Sequence, residues 1–359
     1  MASFPEAVAD PGFITLAVDA MSGDGGLSVA VAAAVAALER HADLRIVLVG
    51  DARQLRAALQ TQRVADRIQV RHAGEVVSMD EVPAQALRHK KDSSMRVAIN
   101  LVKQGEAQAC VSAGNTGALM ATAKFVLKTL PGVERPAIVS ALPTVRGATH
   151  VLDLGANSEC SPEQLVQFAA MGSALVTALQ GIERPQVALL NIGEEVIKGN
   201  SVVKHAAALL AGSSLNFVGS VEGDSLFMRP VDVVVCDGFV GNVALKVGEG
   251  IAKLIAQFMR EEFMRTWGTK LVGLVAHGIL KSLAQRIDPR QYNGATLIGL
   301  RGIVVKSHGG ADEVAFAHAI DVALTEVRQN VPERIAKLVR DSLASTPAGS
   351  ADAEPAPAA

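Results

Sequence analysis

Apolar, strand-like runs return along this chain at spacings that mostly leave room for a helix between them, and that alternation narrows the folds open to it more than any other feature. The runs are FITLAVDA, LRIVLVG, RIQVRHA, AQACVS, AIVSALP, THVLDLGA, QVALLNIG, LNFVGSV, VDVVVCDG and ATLIGLRGIVVKSHG. Strands alternating with helical segments predict an α/β fold, a mostly parallel sheet with helices on both faces joined by right-handed crossovers. Composition suits such a sheet. Hydrophobic residues make up 49% of the 359 residues and aromatics only 3%, so the core has to be built from Ala, Val, Leu and Ile.

Ligands of parallel sheets bind beyond the carboxyl ends of the strands. Seven strand ends here pair glycine with Asp, Asn, Glu or Ser, at 19–24, 112–117, 153–157, 191–195, 222–224, 237–242 and 307–312. Placed on one edge of the sheet, they would form the rim of a polar, anion-tolerant cleft. In the second of them, CVSAGNTGALMATAKFVL (110–127), a strand leads through a tight loop into a helix. Gly114 and Gly117 allow positive φ or close approach of a ligand, and a helix N-terminus favours an anion, so the loop reads as a seat for phosphate or carboxylate. The plain alternative is a strand-to-helix turn capped by Thr116.

Other features set functions aside. With 34 Lys+Arg against 36 Asp+Glu the net charge is −2, which leaves no electrostatic footprint for nucleic acid. Cys110, Cys160 and Cys236 lack CxxC spacing and read as reduced core residues, and no ligand cluster suggests a metal or a cofactor. A G-x-S-x-G elbow, a Walker loop, H-E-x-x-H and G-x-G-x-x-G are all missing. Without a leader-like start or an uncharged apolar run of ~18 residues, the expected location is the cytoplasm. Residues 1–11 and the Pro/Ala-rich stretch 345–359 read as disordered flanks of one α/β domain over 12–344.

The segments AVDAMSGDGG, KKDSSMRVAINLV, VSAGNTGALMA, ERPAIVSALPT, VLDLGAN, LLNIGEEVIKGN, EGDSLF, CDGFVGNVALK and GLRGIVVKSHGGAD follow one another over roughly residues 13–330. In that order they resemble the bacterial phosphate acyltransferases of phospholipid synthesis. Ser22 stands where the family usually has one of two glycines before the first-motif aspartate. The resemblance implies a fold similar to phosphotransacetylases and to isocitrate and isopropylmalate dehydrogenases: a three-layer α/β/α sandwich, usually dimeric. It also implies transfer of a fatty acyl group from acyl carrier protein to inorganic phosphate, giving an acyl phosphate for a downstream membrane glycerol-3-phosphate acyltransferase. Two readings stay open beside it, a short-chain phosphotransacetylase using acyl-CoA and a non-catalytic membrane-surface scaffold for lipid enzymes.

Phosphate is already largely ionised near neutral pH, so its attack on a thioester needs no strong base. It needs a cationic seat rich in N–H groups and a donor for the thioester oxyanion. Lys198, in GEEVIKGN, is the expected cation, a position the family resemblance also indicates; the plain alternative is a surface lysine paired with Glu194 or Glu195. Asn242 is the expected oxyanion donor, with an N-cap as the alternative. Ser112, Gly114, Asn115, Thr116 and Gly117 would hold phosphate. His308 would protonate the departing thiolate. Asp19, Asp24 and Asn157 are placed on the cleft rim, the aspartates engaging loop N–H groups and cations. Lys90, Lys91 and Arg96 form a basic cluster suited to phosphate or to an acidic carrier protein.

Residues 249–286 break the strand pattern and read as a protruding amphipathic helical hairpin, one stripe of which carries Leu271, Leu274, Val275 and Ile279. Six Lys/Arg face three Glu there, and Trp267 with Gly268 marks the tip. Such a hairpin suits an anionic membrane surface, shared with a homodimer interface.

Overall fold

The computed structural model describes residues 12–60, 62, 64–229 and 231–344, so the expectations for 1–11 and 345–359 lie outside the described residues. Among the described residues the apolar runs form β1 (Ile14–Asp19), β2 (Leu44–Gly50), β3 (Ile68–His72), β4 (Ala109–Ser112), β5 (Ala137–Thr144), β6 (Gly147–Leu152), β7 (Gln186–Leu190), β8 (Asn216–Val221), β9 (Val233–Val235), β10 (Ala295–Ile298) and β11 (Ile303–Lys306). They join in one sheet, in the order β3-β2-β1-β4-β11-β10-β5-β6-β9-β7-β8.

Pairing is parallel within β3-β2-β1-β4-β11 and within β6-β9-β7-β8, two blocks that run in opposite directions and are joined by antiparallel pairing through β10 and β5. β1, β2, β3, β4 and β11 run one way. β10 opposes both β11 and β5, β6 opposes β5, and β7, β8 and β9 run with β6. The reversal follows from connections too short for a crossover helix: residues 145–146 join β5 to β6, and 299–302 join β10 to β11. Seven strand ends therefore do not share one edge. Loops 19–24, 112–117 and 307–312 lie at one edge of the sheet, and loops 153–157, 191–195, 222–224 and 237–242 lie at the opposite edge.

Alternate residues of each strand enter different layers. Leu16, Val18, Ile303 and Val305 pack under the helices Gly26–Arg40 and Glu313–Arg328. The same face continues over the second half beneath Pro162–Gln180, Ser201–Ala211 and Val331–Ala344. Ala17, Cys110 and Val304 point the other way, into a cluster with Ser94–Gln104 and Thr116–Leu127 that extends to Val234 and Cys236. Helices on both faces complete three layers.

Cover is thin on that second face beyond β9. The helix Gly238–Met264 buries only Gly238 and Gly241 among its residues, then passes into Trp267–Val275 and His277–Ile287. The expected hairpin at 249–286 is thus the outer part of a longer excursion that begins at the end of β9.

Candidate active site

Three loops knit together at the first edge. Asp19 ends β1 wholly buried; its Oδ2 accepts from Ser22 Oγ and Ser112 Oγ, each at 2.6 Å, and its Oδ1 from the Met21 N–H at 3.3 Å. Ser22, the departure from the family's glycine, thus contributes a hydrogen bond to the aspartate. Ser307 N–H donates to the Ser112 carbonyl at 2.9 Å, and Asp24 N–H to the Gly309 carbonyl at 2.8 Å. Asn293, just before β10, donates to Ser307 Oγ at 2.8 Å and accepts from the His308 N–H at 2.9 Å. The Gly310 N–H donates to His308 Nδ1 at 3.0 Å, which leaves the ring proton on Nε2.

Beneath these loops lies Lys306, the last residue of β11 and only 9% exposed. Its Nζ donates to the carbonyls of Ala113, at 3.4 Å, and Ser307. Burial pulls its pKa down to about 8; Asp19 and Asp24 oppose the shift, and the ammonium of Lys246 adds to it. Lys246 belongs to the helix that starts at the opposite edge, so that helix brings a second-half cation toward the first-edge loops. Lys306 was passed over in the sequence, yet its signal was visible: a lysine closing an otherwise apolar run, GIVVK, where a charge is rarely buried without a task.

The loop expected to seat phosphate is more heavily engaged than its composition suggests. Ser112 is fully buried and spends its hydroxyl on Asp19. Asn115, not Thr116, caps the helix: its Oδ1 accepts from the Ala118 N–H at 3.0 Å, while its Nδ2 donates to the carbonyls of Met79, at 2.7 Å, and Glu81, at 3.1 Å. That side chain has nothing left for an anion. Gly114 and Gly117 are not at positive φ. They are small because a Cβ would sit 2.5 Å from Met95 Cε at Gly114 and 2.7 Å from Pro83 Cγ at Gly117. The exposed Thr116 hydroxyl and the first-turn N–H groups of Thr116 and Gly117 are what this loop still offers a ligand.

At the opposite edge Asp153 organises the turn after β6. Its Oδ1 accepts from the N–H groups of Ile138, Gly155 and Ala156, and its Oδ2 from the Asn157 N–H at 2.7 Å and the Asn157 Nδ2 at 2.9 Å. Burial raises the pKa of Asp153, and these donors pull it back. Asn157 also donates to the Pro136 carbonyl and is nearly covered, so it braces the turn and is not a rim residue. The Gly238–Met264 helix starts directly on this turn: a Cβ at Gly241 would fall 2.0 Å from the Asp153 carbonyl oxygen. Asp237 caps that helix by accepting from Val240 N–H at 2.9 Å, which removes the N-cap alternative for Asn242. Asn242 lies one turn in, against Gly155, and its amide makes no hydrogen bond among the described residues.

Lys198 stands exposed in a loop of turns between β7 and the helix Ser201–Ala211. The alternative pairing with Glu194 or Glu195 does not form: Glu194 holds Arg229 at 2.9 Å, and Lys198 has no ion pair among the described residues. The Lys90, Lys91 and Arg96 cluster disperses: Lys90 Nζ binds the Val76 carbonyl and Glu81, the latter at 3.0 Å, while Arg96 stacks on Phe125.

Residues 14–334 match the family described as "Fatty acid synthesis protein". The chain is 59% identical over 333 residues to the phosphate acyltransferase of Methylococcus capsulatus, covering 92% of this chain and 98% of that one. With the phosphate acyltransferase of Legionella pneumophila strain Paris it shares 56% identity over 333 residues, 92% of this chain and 96% of that one. The chain belongs to the phosphate acyltransferase family. It is an acyltransferase. A phosphotransacetylase from Streptococcus pyogenes superposes with a TM-score of 0.59 at 16% identity, over 88% of this chain and 94% of that one. One from Staphylococcus aureus gives 0.55 at 15% identity, over 91% and 94%. At that identity the likeness speaks for the fold.

For a phosphate acyltransferase the state of the thiols bears on mechanism. Burial pushes Cys160 up to about 12, with Asp153 and Asp237 adding to the shift, and raises Cys110 and Cys236 well above the ordinary thiol value. A thiol so hard to ionise is a poor nucleophile. The two loop clusters offer cations, free N–H groups and an unengaged amide.

Proposed function

We propose that this phosphate acyltransferase moves a fatty acyl group from the thioester of acyl carrier protein to inorganic phosphate, and that the acyl phosphate serves a glycerol-3-phosphate acyltransferase in phospholipid synthesis. The observation that carries this reading is a set of cations beside thiols that burial disfavours as thiolates: Lys198 without an ion pair among the described residues, Lys306 beneath the first-edge loops with Asp19 and Asp24 near it, and three cysteines in covered positions. A site of that kind favours attack by an anion brought in from solution over formation of an acyl-enzyme.

A phosphate oxygen attacks the thioester carbonyl carbon, the carbonyl electrons move to oxygen, and a tetrahedral oxyanion forms. Collapse re-forms the carbonyl and breaks the C–S bond; the thiolate leaves and takes up a proton. The Gly238–Met264 helix starts at the second edge and brings Lys246 to Lys306 at the first, so a substrate lying along it meets both loop clusters: Lys198 neutralises phosphate or the oxyanion, Asn242 donates to the oxyanion, and Thr116 with the first-turn N–H groups steadies the phosphate. His308, with its proton on Nε2, hydrogen-bonds the departing thiolate, which takes its proton from solvent. The enzyme works as a homodimer in the cytoplasm, held peripherally on anionic membrane by the hairpin, which keeps a labile product near its consumer.

Purified protein mixed with palmitoyl carrier protein and phosphate should yield an acyl phosphate that hydroxylamine traps as the hydroxamate. Absence of product with every chain length would remove the enzyme reading, and product from short acyl-CoA alone would favour the phosphotransacetylase alternative.

A further inference from the structure

The helix Thr116–Leu127 turns a basic, aromatic face outward that the catalytic loops do not use. Phe125 is 54% exposed, with the Arg96 guanidinium 5.1 Å and the Lys128 ammonium 4.8 Å from its ring centre. Beside it lies a groove of about 360 Å³ lined by Ala121, Lys124, Phe125, Lys128 and Thr129. Arg301 is tied to the same segment, its Nε donating to the Thr129 carbonyl at 3.1 Å. Among the described residues none of Arg96, Lys124, Lys128 and Arg301 has a carboxylate within ion-pair distance; the nearby acids are spoken for, Glu106 by Arg71 and Glu81 by Lys90. Over residues 83–128 seven Lys/Arg face two Asp/Glu, on a chain whose net charge is −2.

Four cations near Phe125 and Thr129 repel one another, and among the described residues no carboxylate pairs with any of them. An exposed phenylalanine held between two cations is the kind of rigid anchor that concentrates binding energy at protein interfaces, where Phe and Arg are enriched. We propose that this face docks an acidic protein, and that the protein is the carrier bearing the acyl thioester. The assignment rests on the acyl-carrier reading above. Position supports it: Lys124 lies eight residues beyond Thr116 along one helix, roughly 12 Å from the phosphate-facing N-terminus, a distance for an extended prosthetic arm to span. A lipid surface fits this face less well, since the exposed apolar tip lies elsewhere, at Trp267.

The test is Lys124→Glu combined with Lys128→Glu in the full chain, assayed with palmitoyl carrier protein and with S-palmitoyl pantetheine, which lacks the protein. We expect KM for the carrier donor to rise roughly tenfold with kcat nearly unchanged, the salt dependence of kcat/KM to flatten, and pantetheine turnover to stay as in the wild type. An unchanged KM for the carrier in an active enzyme would overturn the docking surface alone. Equal losses with both donors would mean a structural role and would also overturn it, as would lost vesicle binding with carrier kinetics intact. A wild type that makes no acyl phosphate from the carrier donor would instead bring down the functional reading, and this surface with it.

Discussion

Lys198 and Asn242 share a property that ordinary surface residues lack: one cation and one amide at strand-end loops, both without partners among the described residues. Removing a donor that acts on a developing oxyanion typically costs about 2.7–4 kcal/mol. Lys198→Ala and Asn242→Ala should each lower kcat by roughly 10²–10³ with circular dichroism unchanged; a loss below fivefold in both would return them to the surface. Glu326 tests burial instead of chemistry. Its carboxyl is almost fully covered, accepts from Thr296 Oγ1 at 2.5 Å on one oxygen and from no described residue on the other. Burial lifts its pKa to about 7, with the Thr296 bond pulling the other way. The folded state therefore holds a proton that the unfolded state releases near pH 4.5, so stability is full below that pH and falls as pH rises through about 7, by on the order of 3 kcal/mol. Denaturant midpoints at pH 5 and pH 8 should show this loss in the wild type, and Glu326→Gln should largely abolish it.

Among the elements, the Gly238–Met264 helix departs most from what a globular core requires. Its first turn is locked onto the Asp153 turn by glycines at 238 and 241, while Val240, Val243, Val247, Ile251, Leu254 and Phe258 stand exposed along it. Further out, Trp267 at 88% and Val275 at 83% exposed belong to a segment rich in Lys and Arg. If four large apolar side chains half-enter lipid, the gain is on the order of 4 kcal/mol, supplemented by attraction of the basic residues to anionic headgroups. Binding of that strength is reversible. The protein should co-sediment with vesicles rich in anionic lipid and be released by high salt. Leu271→Glu with Val275→Glu should abolish co-sedimentation and leave turnover in solution intact; inactive monomers would assign the stripe to the subunit interface.

For the molecule as a whole, the exposed stripe from Val240 to Phe258 advances in steps of three and four residues, the spacing of a helix that packs against a second helix. Sedimentation equilibrium should give twice the chain mass, and Val247→Glu with Leu254→Glu should halve it; a monomeric wild type would end the dimer reading. The strands were largely legible before any coordinates, because a strand buried on both faces has to be continuously apolar, as LRIVLVG is. The glycine-rich strand ends were legible for a similar local reason. Even the reversal of the second half was present in the chain, since two residues between β5 and β6 cannot hold a crossover. Hydrogen-bond partners were not legible. Ser112, Asn115 and Asn157 have the composition of ligand groups, and only the packed loops show their polar atoms already spent on Asp19, Met79, Glu81, Pro136 and Asp153. Lys306 is the converse case, a residue whose importance comes from depth. Local sequence determined which segments become strands and helices, because periodicity and glycine placement act over a few residues. Which edge each loop joins, and which polar atoms stay free, depended on strand direction and on contacts between residues more than ninety positions apart, as between Asp19 and Ser112.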